Sequence, residues 1–141
     1  NIAGIPGIAM SQELERETYQ KWNRDRSFEP ATIDRLRAQI GPLLQRVAGE
    51  MIPADDPPGD PVTWNVNFPF NSANPCELVH TTLSHTYYAS IYKQAGDHYR
   101  HDLSPFHQDT RPLTDDAVIR DGHVSLTEID IRNLGRLQGA V

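Results

Sequence analysis

The sequence predicts an α/β fold organised around a βαβ unit, and three observations carry that expectation. A short continuous apolar run occupies residues 4–11, a one-sided apolar stripe recurs over residues 33–47, and an alternating stretch spans residues 62–69. Strand, helix and strand in that order make two parallel strands joined by a crossover, which is right-handed in nearly all such units.

Each element has a local reason. Residues 4–11 are apolar on both alternating faces and flanked by glycine, the pattern of a strand buried on both sides of a parallel sheet. Residues 12–31 are mostly polar, punctuated by Trp22, Phe28 and Pro30, and read as a loop with one helical turn around 13–19. Ile33, Leu36, Ile40, Leu43, Leu44 and Val47 then recur at spacings of three and four, which is helical. Gly41-Pro42 falls inside that stripe, so the helix is expected to kink or to break into two, ending near Gly49. A turn cluster at 54–61 contains the acidic pair Asp55-Asp56, which reads as a solvated turn. After it, Val62, Trp64, Val66 and Phe68 share one face of a strand, with Asn65 and Asn67 on the other.

The second part of the chain differs in character. Residues 77–83 and 87–93 are β-prone and flank Ser84-His85-Thr86, which predicts an antiparallel hairpin. Residues 94–111 hold Gly96, Pro105 and three of the six histidines and read as an exposed loop. Thr114 with Asp115 and Asp116 looks like the capped start of a short helix ending at Gly122. An alternating strand over 123–129 and a polar tail close the chain. The predicted division is residues 1–70 for the α/β core and 71–141 for the arm, loop and closing helix-strand.

Composition excludes several functions. Nineteen acidic against thirteen basic residues give a formal charge of −6 with no basic cluster, which argues against a nucleic-acid duplex as partner. No apolar run approaches the roughly 20 residues of a membrane span. A single Cys76 cannot form an internal disulfide, so the expected location is cytoplasmic. The chain opens at Asn1 on an apolar strand with almost no run-up, which predicts a piece of a larger protein.

Three segments together resemble the SurE survival-protein family of 5′/3′-nucleotidases. They are Gly4-Ile5-Pro6-Gly7-Ile8-Ala9-Met10-Ser11, then Trp64-Asn65-Val66-Asn67-Phe68-Pro69, then Thr114-Asp115-Asp116-Ala117 leading to Gly122-His123-Val124-Ser125-Leu126-Thr127. Leu83-Ser84-His85 with Tyr88, and Tyr99-Arg100-His101, look like that family's projecting hairpin region. The resemblance covers only the family's C-terminal half. It implies a Rossmann-like three-layer α/β/α core with a projecting antiparallel β-hairpin arm. It also implies a metal-dependent phosphomonoesterase, a nucleotidase or acid phosphatase, acting on nucleoside monophosphates. The family's Asn-Asp-Asp-Gly metal turn and Ser-Gly-Thr helix start have no counterpart here. The divalent cation, Mg, Mn or similar, is therefore expected on an N-terminal half of the same protein, and no catalytic residue or metal ligand is expected in this chain. A non-catalytic assembly module that has lost its metal-binding half is the alternative.

Candidate site residues each have two readings. Ser11 ends a strand at its carboxyl edge, where open α/β sheets bind ligands, or it simply caps the following turn. His85, with Tyr87, Tyr88 and Lys93, can contact a nucleobase or phosphate, or belong to a surface hairpin with cross-strand aromatic pairs. Asp115 and Asp116 complement a helix dipole; the resemblance adds a part in subunit exchange, and with it a homodimer or homotetramer. Asp97, His98, His101, Asp102, His107 and Asp109 form either a zinc or nickel site or a solvated loop.

Overall fold

Val124, Ser125, Leu126 and Thr127 alternate apolar and polar, and all four are buried. A strand so patterned must be covered on both faces, and this one sits inside the sheet. The computed structural model describes residues 7–51, 62–88, 92–101 and 106–130. In chain order these form β1 (Gly7–Gln12), α1 (Arg16–Asp25), α2 (Pro30–Met51), β2 (Thr63–Phe68), β3 (Leu78–Thr81), β4 (Tyr87–Tyr88), β5 (Tyr92–Ala95), β6 (His98–His101), β7 (Phe106–His107), α3 (Asp115–Arg120) and β8 (Val124–Ile129).

The main sheet has the order β1-β2-β8-β3. β1 and β2 are parallel, β8 is antiparallel to β2, and β3 is parallel to β8. This is the predicted α/β class, with the predicted βαβ unit at one side. Leu43 and Val47 of α2 pack on Val66, Phe68, Val124 and Leu126, with Ile40, Met51, Trp64, Cys76 and Leu78 at the margin. Burying each of these large aliphatic side chains contributes about 1.5–3 kcal/mol. The opposite face of β2 and β8 is polar: Asn67 Nδ2 donates to Ser125 Oγ at 3.1 Å, and the Thr81 and Thr127 hydroxyls lie 2.6 Å apart.

Three local expectations are corrected, and for α2 the choice between a kinked and a broken helix falls to one continuous helix. α2 is one helix of 22 residues that runs through Gly41-Pro42. Pro42 is exposed, so water can take the carbonyl it orphans, while the buried stripe of Ile40, Leu43 and Val47 continues across it. The stretch after β1 holds a ten-residue helix, α1, rather than a single turn. Trp22 stacks on Phe28 at 6.2 Å and Arg26 caps the helix in a left-handed conformation, contacts that supply what its polar sequence lacks. β1 is not buried on both faces; it lies at the sheet edge, with Ile8 and Met10 exposed by 37% and 45%.

The hairpin, finally, is elsewhere. Residues 78–81 join the main sheet beside β8, and Tyr87–Tyr88 pairs with Phe106–His107. The arm's tight hairpin is β5–β6, closed by Gly96-Asp97 within the segment expected to be loop. Gly96 adopts φ 70°, the Gly-first pattern of a two-residue hairpin, which Ser84-His85-Thr86 cannot supply. Asp55-Asp56 and the polar tail at 131–141 lie outside the described residues.

Gly122 closes the turn into β8 with φ 85°, and a Cβ there would stand 2.7 Å from Ala73 N and 2.8 Å from Asn71 O. Left-handed strain and overlap with backbone together make Gly122→Ala cost about 2–4 kcal/mol. Gly49 of α2 is exposed, meets nothing outside its own helix within 4 Å of its Cβ position and has no positive φ, so Gly49→Ala should stabilise the chain by about 0.5–1 kcal/mol. Urea unfolding of both variants checks the pair; a Gly122→Ala variant as stable as the parent would refute the close approach.

Candidate functional site

The parallel strands β1 and β2 finish at the same sheet edge, and the chain beyond them is held by specific hydrogen bonds. Glu13 N donates to Phe68 O at 2.9 Å, and Phe70 N donates to Glu13 Oε2 at 2.9 Å. Gln39 of α2 reaches up to the carbonyls of Pro69 and Phe70 at 3.0 and 2.7 Å, and Gln12 Nε2 also donates to Pro69 O at 3.1 Å. A hollow of about 560 Å³ opens there. Glu13, Leu14, Glu15, Arg16 and Tyr19 line it from the β1–α1 side, Phe70 and Asn71 from the end of β2, and Ile119 and Arg120 from α3.

Two arginines, two glutamates and two aromatic rings line this hollow, so its formal charge is balanced. Glu13 is engaged by the Phe70 amide, and Arg120 donates to Asp116 Oδ2 at 2.7 Å. The Arg35 guanidinium lies over the Phe70 ring at 5.4 Å, a cation–π contact that steadies the ring. Arg16 stands in the first turn of α1, whose cap residue Glu15 makes no side-chain capping bond. Such a site can accept an anionic group at the arginines and a planar group beside Tyr19 and Phe70.

Ser11 is exposed one residue before β1 ends at this edge, level with Asn67 and, through it, Ser125. His85 is at the other edge. β3 runs opposite to β1 and β2, so the segment after Thr81 leaves where those strands begin. The fold therefore does not bring Ser11 and His85 together. His85 exposes its side chain and gives its backbone N–H to Asp109 Oδ2 at 2.7 Å. The Tyr88 backbone pairs with Phe106, and its side chain lies outside the described residues.

Asp115 and Asp116 both have partners within the chain. Asp115 Oδ1 accepts from Ser84 N at 2.8 Å; Asp116 Oδ2 accepts from Thr86 Oγ1 at 3.0 Å and from Arg120. Thr114 caps α3 through Ala117 N at 3.3 Å. Of the histidine cluster, His98 Nδ1 sits 3.1 Å from Asp97 on β6, Tyr87 stacks on His107 at 4.7 Å, and Asp109 is committed elsewhere. Asp102 and the His101 side chain lie outside the described residues. Among the described residues no three His, Cys, Asp or Glu side chains converge as metal ligands. Nor is any described helix long and apolar enough to cross a membrane.

The sequence reading missed two clusters. The hollow is assembled from three separated segments, and only the Glu13–Tyr19 stretch has a local signal, a charged helix start. The other is Asp109–Arg111. Asp109 is buried and accepts from Arg111 N, Nε and Nη2 as well as from His85 N. These donors, with the Arg111 guanidinium foremost, hold its carboxyl far below the ordinary carboxylate range. The two-residue spacing of Asp109 and Arg111 was the available clue.

A carboxylate lowered on folding stabilises the protein above its unfolded pKa of about 3.9, and that contribution drains away as pH falls further toward the folded value. Unfolding midpoints should fall as the pH is taken from 5 to 3. Asp109→Asn should lower the midpoint at neutral pH and flatten that acid decline; a variant with the parental acid slope would contradict this.

No protein-family model matches the chain, and no curated protein matches it in sequence. Among solved structures, the SurE protein from Aquifex aeolicus matches over 97% of this chain with a TM-score of 0.51 and 20% sequence identity. The chain spans 52% of that protein's chain. What the two share is the fold: a mixed parallel and antiparallel sheet with a separate antiparallel hairpin, and the chain is SurE-like in that sense.

Proposed function

We propose that this chain is the C-terminal half of a SurE-like, metal-dependent phosphomonoesterase, a 5′/3′-nucleotidase or acid phosphatase acting on nucleoside monophosphates. The observation that carries the reading is the arginine- and aromatic-lined hollow at the common carboxyl edge of β1 and β2, in a fold shared with SurE. Ligands of open α/β sheets bind at that edge. Phosphoryl transfer depends on placement and charge neutralisation, and Arg16 and Arg120 are suited to an anionic group while Tyr19 and Phe70 flank the organic part. Ser11 is the substrate contact retained at this edge. The divalent cation, of the Mg or Mn class, is assigned to an N-terminal half of the same protein, because the Asn-Asp-Asp-Gly turn that the resemblance implies as its holder has no counterpart in this sequence.

The arm serves assembly in this reading. Tyr87, Tyr92, Tyr99 and Phe106 are large side chains exposed along its strands, and large apolar side chains left exposed suit a contact surface. His85 and Tyr88 belong to its base, and Asp115 and Asp116 hold that base to α3. A homodimer or homotetramer follows. The same exposed aromatics favour the second reading, a non-catalytic assembly module.

Phosphate release from adenosine monophosphate, with and without Mg²⁺ or Mn²⁺, tests the proposal on the natural-length polypeptide and on the 141-residue chain. Metal-dependent hydrolysis by the former alone is expected. Arg16→Ala should raise its KM roughly tenfold or more, the worth of one charge-assisted hydrogen bond. Activity in the 141-residue chain alone would overturn the division of labour; inactivity of both would leave the assembly module.

A further inference from the structure

α3 carries Asp116 and Arg120 four residues apart, so the two side chains share one flank of the helix. A surface pair of this kind adds little to stability. Its placement gives it another use. Arg120 lines the hollow at the carboxyl edge of β1 and β2, with 40% of its side chain exposed. Asp116 faces the root of the arm, where Thr86 Oγ1 donates to its Oδ2 at 3.0 Å. The same oxygen accepts from Arg120 Nη1 at 2.7 Å. One carboxylate oxygen is thus shared between the arm and the hollow.

The Thr86 hydroxyl is itself held in place. Asp109 N donates to it at 3.1 Å, which occupies a lone pair and leaves its one proton for Asp116. Asp109 is fixed in turn by Arg111 N, Nε and Nη2 and by His85 N. Thr86 immediately precedes β4, and Asp109 follows β7 by two residues, so both strands of the arm's paired base are tied to this set. A continuous run of hydrogen bonds therefore joins the Asp109 amide, the Thr86 hydroxyl, the Asp116 carboxylate and the Arg120 guanidinium. Asp116 holds that guanidinium at Nη1, and the planar fork has further donors for a bound anion.

We propose that Asp116 is a positioning residue that makes the anion affinity of the hollow depend on the seating of the arm root. The inference rests on the reading of the hollow as a phosphomonoester site, and adds a regulator to it. With Thr86 seated, Asp116 is anchored from both sides and presents Arg120 to the hollow already ordered. With the arm root displaced, Asp116 loses an anchor and the long Arg120 side chain regains rotamers that binding must freeze. Linkage makes the effect reciprocal: an anion that fixes Arg120 also steadies Thr86 and the arm root. Charge alone predicts the opposite sign. Removing a negative group beside an anion site tightens binding by Coulomb's law, whereas losing a positioning residue weakens it.

Hydrolysis of adenosine monophosphate by the natural-length polypeptide, and its amide hydrogen exchange with and without inorganic phosphate, test this. Asp116→Ala should raise KM about tenfold and Thr86→Val about threefold, with kcat within about twofold of the parent. Thr86→Ser and Asp116→Glu, which restore the donor and the carboxylate, should return KM to within about twofold of the parent. Combining Thr86→Val with Asp116→Ala should be no worse than Asp116→Ala alone, since the two groups act in one chain. Saturating phosphate should slow exchange of the His85 and Asp109 amides about fivefold in the parent and not in Asp116→Ala. A KM that is unchanged or lowered in Asp116→Ala, additive effects of the two substitutions, or arm-root exchange indifferent to phosphate overturns the proposal. A parent with phosphate-linked protection that hydrolyses no phosphomonoester overturns the enzymatic reading alone. An active enzyme whose KM ignores Thr86 overturns this one alone.

Discussion

The architecture depends on how β8 is inserted. With β2 it is one of the two strands that have neighbours on both sides, and it lies antiparallel to β2 and parallel to β3. Its even residues, Val124 and Leu126, meet the α2 stripe, and its odd residues, Ser125 and Thr127, bond to Asn67 and Thr81 across the other face. A slip of one residue would exchange these two sets and bury hydroxyls against Leu43 and Val47. The Gly122 turn sets the entry to β8, because its carbonyl accepts from Ala73 and its α-carbon leaves no room for a side chain.

That insertion also sorts the polar chemistry by sheet edge. Since β3 opposes β1 and β2, the loops after β1 and β2 gather at one edge and the root of the arm at the other. The first edge holds the arginine-lined hollow. The second holds the Asp109–Arg111 clasp, to which Thr86 and His85 are tied. α3 connects the two, with Asp116 facing the arm and Arg120 the hollow, and the pair bonded to each other. An electrostatic unit of this kind belongs to positioning: Asp116 meets one neighbour from each side, which keeps Arg120 directed toward the hollow.

An exposed β1 is the other consequence. α2 buries the sheet over β2 and β8, and little of its width is left for β1.

Much of this was legible from residue pattern alone. Period-two alternation at 63–68 and 124–129 and the three-and-four spacing in α2 are local expressions of burial, so class, strand–helix–strand order and the capped α3 could be read directly. The sequence also marked β1 as an interior strand, whereas among the described residues it has β2 on one side only. Tertiary structure alone decided the rest. Whether 78–81 pairs with β8 or folds on itself as a hairpin turns on competition between partners far apart in sequence, and burial in the core sheet wins. Whether Pro42 ends α2 turns on packing either side of it. Bringing Glu13, Phe70 and Arg120 to one hollow, and placing Ser11 and His85 at opposite edges, follows from strand direction, a property that belongs to the sheet and to no single segment.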